Sequence, residues 1–172
     1  MNIFYLDRDP EIAAQMMCDK HVVKMILESA QMLSTAHRVL DGDEHANKAG
    51  MYKMAHKNHP STIWARSSIE NYVWLYEHMD ALMGEYTYRY GKKHATERLH
   101  GPLYRAPDHI LEMPMGFTDP PQCMPDYCKN EDVVTAYHKY YIMEKSNFAT
   151  WKRRVKPEWF NGKTGALLGL HG

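Results

Sequence analysis

Apolar residues recur at helical spacing along most of the chain, and the places where that rhythm stops divide it into elements. In "CDKHVVKMILESAQMLSTAHRVL" (18–40), Val22, Val23, Met25, Ile26, Leu27, Ala30, Met32, Leu33 and Ala36 cover most of the circumference of a helix. That is wider than the single buried stripe of a surface helix, so the pattern predicts a helix over about 20–39 with protein around most of it. The polar remainder is ordered too. His21, Lys24, Glu28, Gln31 and Thr35 follow at spacings of three and four, which at about 100° per residue places them within an arc of about 80°. Ahead of this segment, "DPEIAAQMM" carries a capping Asp9, a Pro10 suited to a first helical turn and a Glu11 suited to the positive end. A helix starts there, and a break is expected near residues 17–20. "NIFYLD" (2–7) reads as a short strand or an extended arm.

After the polar, glycine-containing "DGDEHANKAG", the helical rhythm resumes at Pro60 and runs to Gly91, predicting the longest helix over about 60–90. Five prolines between 107 and 129 make that stretch irregular, and so long a loop in a compact domain suggests a lid. "NEDVVTAYHKYYIMEKSNFATWKRR" opens with residues favoured at a helix start and continues at helical spacing. The glycine-rich "NGKTGALLGLHG" reads as a flexible tail. The expected fold is mainly α: a single helical domain over 1–160, two long central helices that cross, a Pro-rich loop, and a C-terminal tail over 161–172.

Composition narrows the functional classes. The length of 172 residues suits one domain with a real core. Twenty-one basic and 21 acidic residues balance, so no overall field draws the chain to nucleic acid or membrane. No apolar run approaches the roughly 18 residues that span a bilayer, and "MNIFYLDRDP" lacks the basic start of a secretory leader. The expectation is a cytoplasmic protein with no membrane partner. Three cysteines, Cys18, Cys123 and Cys128, fit a reducing compartment. Cys123 and Cys128 with Cys18 or His109 would make a zinc site only at non-standard spacing. No cofactor is predicted, although a divalent metal on Glu28 and a distant His or Asp is compatible with the sequence. HEXXH, Walker and GxSxG motifs are absent.

Three features carry candidate chemistry. The first is the polar stripe, in which His21 and Glu28 are the candidate acid–base groups and Lys24 and Gln31 bind substrate; the alternative is a wet strip with a Lys24–Glu28 pair. The second is "HKNHPSTIWARSS" (56–68), where Asn58, His59 and Arg66 sit at a helix start that suits phosphate, with Asn71 a turn or so beyond; the alternative is plain capping. The third, residues 137–160, interleaves Lys145, Lys152, Arg153, Arg154 and Lys156 with Tyr, Phe and Trp, as a single-strand-binding surface does. Its alternative puts the rings in the core and the cations outside.

"MNIFYLDRDP", "CDKHVVKMILESAQMLSTAHR", "NHPSTIWARSS" and "MPDYCKNEDVVTAYHKYY" resemble a family of small proteins of tailed bacteriophages. The likeness spans most of the chain. It implies expression in a host bacterial cytoplasm and carries no activity over residue by residue. The leading function is therefore an enzyme acting on a nucleotide or nucleic acid by general acid–base chemistry, as a hydrolase or transferase. The alternatives are a non-catalytic nucleotide- or protein-binding protein that evades host defence, and a single-strand binder using residues 137–160. The sequence leaves the oligomeric state open.

Overall fold

The computed structural model describes residues 1–161. Six α-helices, α1 (Pro10–Met16), α2 (Asp19–Asp41), α3 (Asp43–Lys48), α4 (Pro60–Ala65), α5 (Ile69–Tyr90) and α6 (Val133–Tyr140), with several short 3₁₀ turns and a π turn over Tyr141–Lys145, account for the regular structure, with no strand among the described residues. The mainly α expectation holds. No helix among the described residues is long and apolar enough to cross a membrane. Of the expected tail, all but Asn161 lies outside the described residues.

α1 begins as its local sequence dictates: the Asp9 carboxylate accepts from the Glu11 and Ile12 N–H groups at 2.8 and 3.2 Å, and Pro10 occupies the first turn. It ends at Met17, whose extended backbone makes the expected break before α2. A buried cation secures that corner. Arg89, on α5, donates to the Gln15 and Met17 carbonyls and to Asp19 and Glu85, at 2.8–3.0 Å. Helix-end carbonyls that lack intrahelical partners are thereby satisfied, and α1, α2 and α5 are locked into one packed unit.

The predicted 60–90 helix is divided. α4 stops at Ala65, Ser68 is extended (φ −158°, ψ 158°), and its hydroxyl caps α5 by accepting from the Asn71 N–H at 3.1 Å. Serine and asparagine compete for the backbone here: Ser67 Oγ donates to the Ile63 carbonyl and Asn71 Nδ2 to the Trp64 carbonyl. Gly91 ends α5, as predicted, and does so in the left-handed region.

Residues 2–6 form a buried extended arm rather than a strand. The Asn2 side chain pins it, accepting from the Ile3 and Phe4 N–H groups and donating to the Cys123 carbonyl at 3.0 Å. Phe4 has φ +54°, an outlier for a bulky residue, and its ring stacks on His21 at 4.1 Å. Farther along, the Leu6 and Arg8 carbonyls accept from His138 and Trp74.

The rings of 137–160 pack inward. Tyr137, Tyr141 and Phe160 are buried, Trp151 donates to the Met16 carbonyl at 2.7 Å, and Trp159 stacks on His138 at 3.9 Å. The Pro-rich stretch is tied down, its Thr118 to Trp64 and Asn71, its Gly116 N–H to Glu70, and its Asp108 and His109 N–H groups to Asp41.

Candidate active site

The stripe predicted on α2 exists, but its members differ sharply in environment. Lys24 is 59% exposed, whereas Glu28 is 14% exposed, and His21 and Thr35 are buried. Val23 and Leu27, expected to be covered, are exposed instead, so the solvent face of α2 lies on their side of the stripe. Glu28 has an amine on each hand. Its Oε1 is 3.6 Å from the α-amine of Met1 and its Oε2 is 3.6 Å from Lys24 Nζ. Both are ion-pair rather than hydrogen-bond separations, so neither amine is locked onto the carboxylate. The pinned arm is what brings Met1 to the middle of α2.

The stripe runs alongside the segment that leads into "NHPS". Thr35 Oγ1 accepts from the Ala55 N–H at 3.1 Å, and His59 lies within the fields of Glu28 and the Met1 amine. His59 caps α4, its Nδ1 accepting from the Ser61 N–H at 3.1 Å, so a neutral ring carries its proton on Nε2. Burial, then the Met1 amine and His56, lower its pKa, and Glu28 opposes them. Asn58 is exposed beside it, and Gln31 is half-buried one turn beyond Glu28.

Three of the candidate residues are committed to other contacts. His21 Nδ1 is 2.7 Å from the Tyr141 hydroxyl, and burial, helped by Lys145, Lys24 and Lys20, pulls its pKa down to about 3. It is neutral at physiological pH and holds Phe4 in place. Asn71 is buried with its amide committed to Trp64 and Thr118, so it forms the helix wall. Arg66 donates to the Lys57 carbonyl at 2.9 Å and is partly desolvated, which lowers its pKa. What sequence reasoning missed is the Met1 amine, because no spacing signals that an apolar arm will fold back onto a carboxylate at position 28.

Among the described residues no group of three or more His, Cys, Asp or Glu is arranged to hold a metal. Cys18 is buried beside Tyr141, and Cys123 Sγ lies 3.4 Å from Ser61 Oγ. A separate cleft of about 480 Å³, lined by His37, Asp41, Glu44, His45, Arg105 and His109, lies near the far end of α2, about 20 Å from Glu28 at 1.5 Å per residue. Its best-placed carboxylate, Asp41, is already taken by His109 at 2.6 Å and by two loop N–H groups.

A helical domain that shelters a carboxylate between two primary amines has the parts of an acid–base or imine-forming enzyme. The chain belongs to the pyrimidine dimer DNA glycosylase family, whose model matches residues 1–98. The match takes in the arm, α1 to α5 and the whole Met1–Lys24–Glu28–His59 grouping, and identifies the family as DNA-directed. Comparison with curated proteins and with solved structures returns no match.

Proposed function

We propose that the chain cleaves the N-glycosidic bond of a damaged pyrimidine in DNA, with the Met1 amine as nucleophile and Glu28 as acid–base group. The observation that carries this reading is the 3.6 Å approach of the Met1 amine to a sheltered Glu28, within the region that the family model covers. The neutral amine attacks C1′ of the sugar, and the base leaves with the electron pair of the glycosidic bond. Glu28 takes the proton that the nitrogen sheds. It returns that proton to the ring oxygen as the C1′–O4′ bond opens, leaving an imine between Met1 and C1′. Water hydrolyses the imine, releasing an abasic sugar and restoring the amine. No cofactor enters these steps.

Met1 is the better placed of the two amines, since it is sheltered beside Glu28 whereas Lys24 is 59% exposed. The arm, fastened through Asn2, presents this amine without further ordering. Lys24, Asn58 and His59 face phosphate and sugar in this reading, Gln31 orients the reacting nucleotide, and Arg66 and Asn71 brace the walls. His21 acts through Phe4 as a positioning residue. A phage-type enzyme of this kind would work in the cytoplasm of the infected cell.

The test is a duplex carrying one thymine dimer, incubated with protein and borohydride, with the intact mass of the purified chain establishing its first residue. We expect a reduced covalent adduct that maps to Met1. Glu28→Gln should keep fold and duplex binding while cutting turnover by about a hundredfold or more. An adduct on Lys24 would reassign the nucleophile, and turnover without any trapped adduct would overturn the imine. Binding without turnover would favour the sequestering protein.

A further inference from the structure

We infer that Lys20 and Lys145, gathered on the ring of Phe148 with Lys24 beside them, form a clamp for the DNA sugar–phosphate backbone next to the proposed cleavage site. The inference rests on the reading of the chain as DNA-directed and adds residues beyond the family match, since Lys145 and Phe148 lie outside 1–98.

Lys20 Nζ is 4.6 Å from the centroid of Phe148, and Lys145 Nζ is 5.9 Å from the same centroid and 4.8 Å from that of Tyr140. The Phe148 ring meets His21 edge-on at 5.8 Å, and His21 in turn carries Phe4 of the arm. The cluster therefore adjoins the segment that delivers Met1 to Glu28. His21 feels Lys145, Lys24 and Lys20 together, so all three charges lie within electrostatic range of its ring.

Lys20 and Lys145 share one ring and, among the described residues, have no carboxylate beside them to neutralise them. Lys24, Lys48 and Lys129 each have a carboxylate at 3.0–3.6 Å, whereas among the described residues none lies within ion-pair distance of Lys20 or Lys145. In a chain whose charges balance overall, like charges gathered without a counter-charge repel one another and are relieved by an external anion. Lysine ammoniums are point charges without a planar fork, which suits phosphate oxygens met in several orientations along a strand. The rings beneath restrict their motion through cation–π contact. Lys145 owes its position to a π turn over Tyr141–Lys145. That wider turn shifts the residues after α6 around the helix axis relative to α spacing, and such turns are rare and concentrate at functional sites.

The test measures duplex affinity against salt for Lys20→Ala, Lys145→Ala and the double variant, in the Glu28→Gln background so that substrate persists. Each single change should lower the slope of log affinity against log salt by about 1, and the pair by about 2. Lys145→Arg should restore the slope, and Lys48→Ala, on α3, should leave it unchanged. With Glu28 intact, KM should rise several-fold with kcat little altered. Unchanged slopes in folded variants of a protein that still cleaves dimers would overturn the clamp and leave the glycosylase reading standing. Lowered slopes in a protein that cleaves no dimer would support the clamp and overturn that reading.

Discussion

Mild acid should destabilise this protein, because three buried histidines must stay neutral in the native state. His21, His37 and His78 have pKa values lowered to about 3, about 4 and about 4, each mainly by burial. In the unfolded chain a histidine titrates near 6.5. A depressed native pKa means that the unfolded state binds more protons between the two values. Stability is therefore fully present above the unfolded pKa and is lost as pH falls from there toward the native one. At pH 5.5 each unfolded-state imidazole is about nine-tenths protonated, which favours unfolding by about RT ln 11, or about 1.4 kcal/mol. Three sites give about 4 kcal/mol, a large part of the roughly 5–15 kcal/mol that holds a domain together. His59, His94 and His138 are shifted in the same direction, and His109 is shifted the other way by Asp41. Urea unfolding at pH 7.5 and 5.5 reads the effect: the midpoint should fall with an unchanged slope. The loss between the two pH values should shrink by about a third in His78→Gln, whatever that variant's stability at pH 7.5. Equal stability at both pH values, or a loss of the same size in the variant, would refute the reasoning.

Two further substitutions probe the frame around the site. Arg89→Leu removes a fully buried cation from Asp19, Glu85 and two helix-end carbonyls; denaturant unfolding should show a loss of about 3–5 kcal/mol, and a change under about 1 kcal/mol would contradict the network's role. Trp151→Ala should cost about 3 kcal/mol through lost packing on Phe160 and Tyr141 and the lost bond to Met16. Its salt slope for duplex binding should stay that of the wild type, whereas a flattened slope would return the ring to a nucleic-acid surface.

What the sequence determined by itself is what forms within a few residues. The start of α1 at Asp9 and Pro10, the stop of α5 at Gly91 and the start of α6 after Asp132 are local caps, and a cap is decided within one helical turn. The extent of α2, predicted as 20–39 and found as Asp19–Asp41, follows from apolar periodicity. That Lys24, Glu28 and Gln31 share a face is helical geometry alone. The break at Ser68 was written locally too, but the unbroken apolar rhythm concealed it. Tertiary structure alone decided what each face meets. Burial of Val23 and Leu27, or of His21, depends on whether another segment arrives to cover them, and that segment comes from far away in the chain. The Tyr141 hydroxyl reaches His21, Cys123 receives Asn2, and Arg89 closes the α1–α2 corner. The same long-range packing turned an apolar arm into the means of setting an amine beside Glu28, since helical spacing specifies neighbours three and four residues apart and carries no information about partners more distant than that.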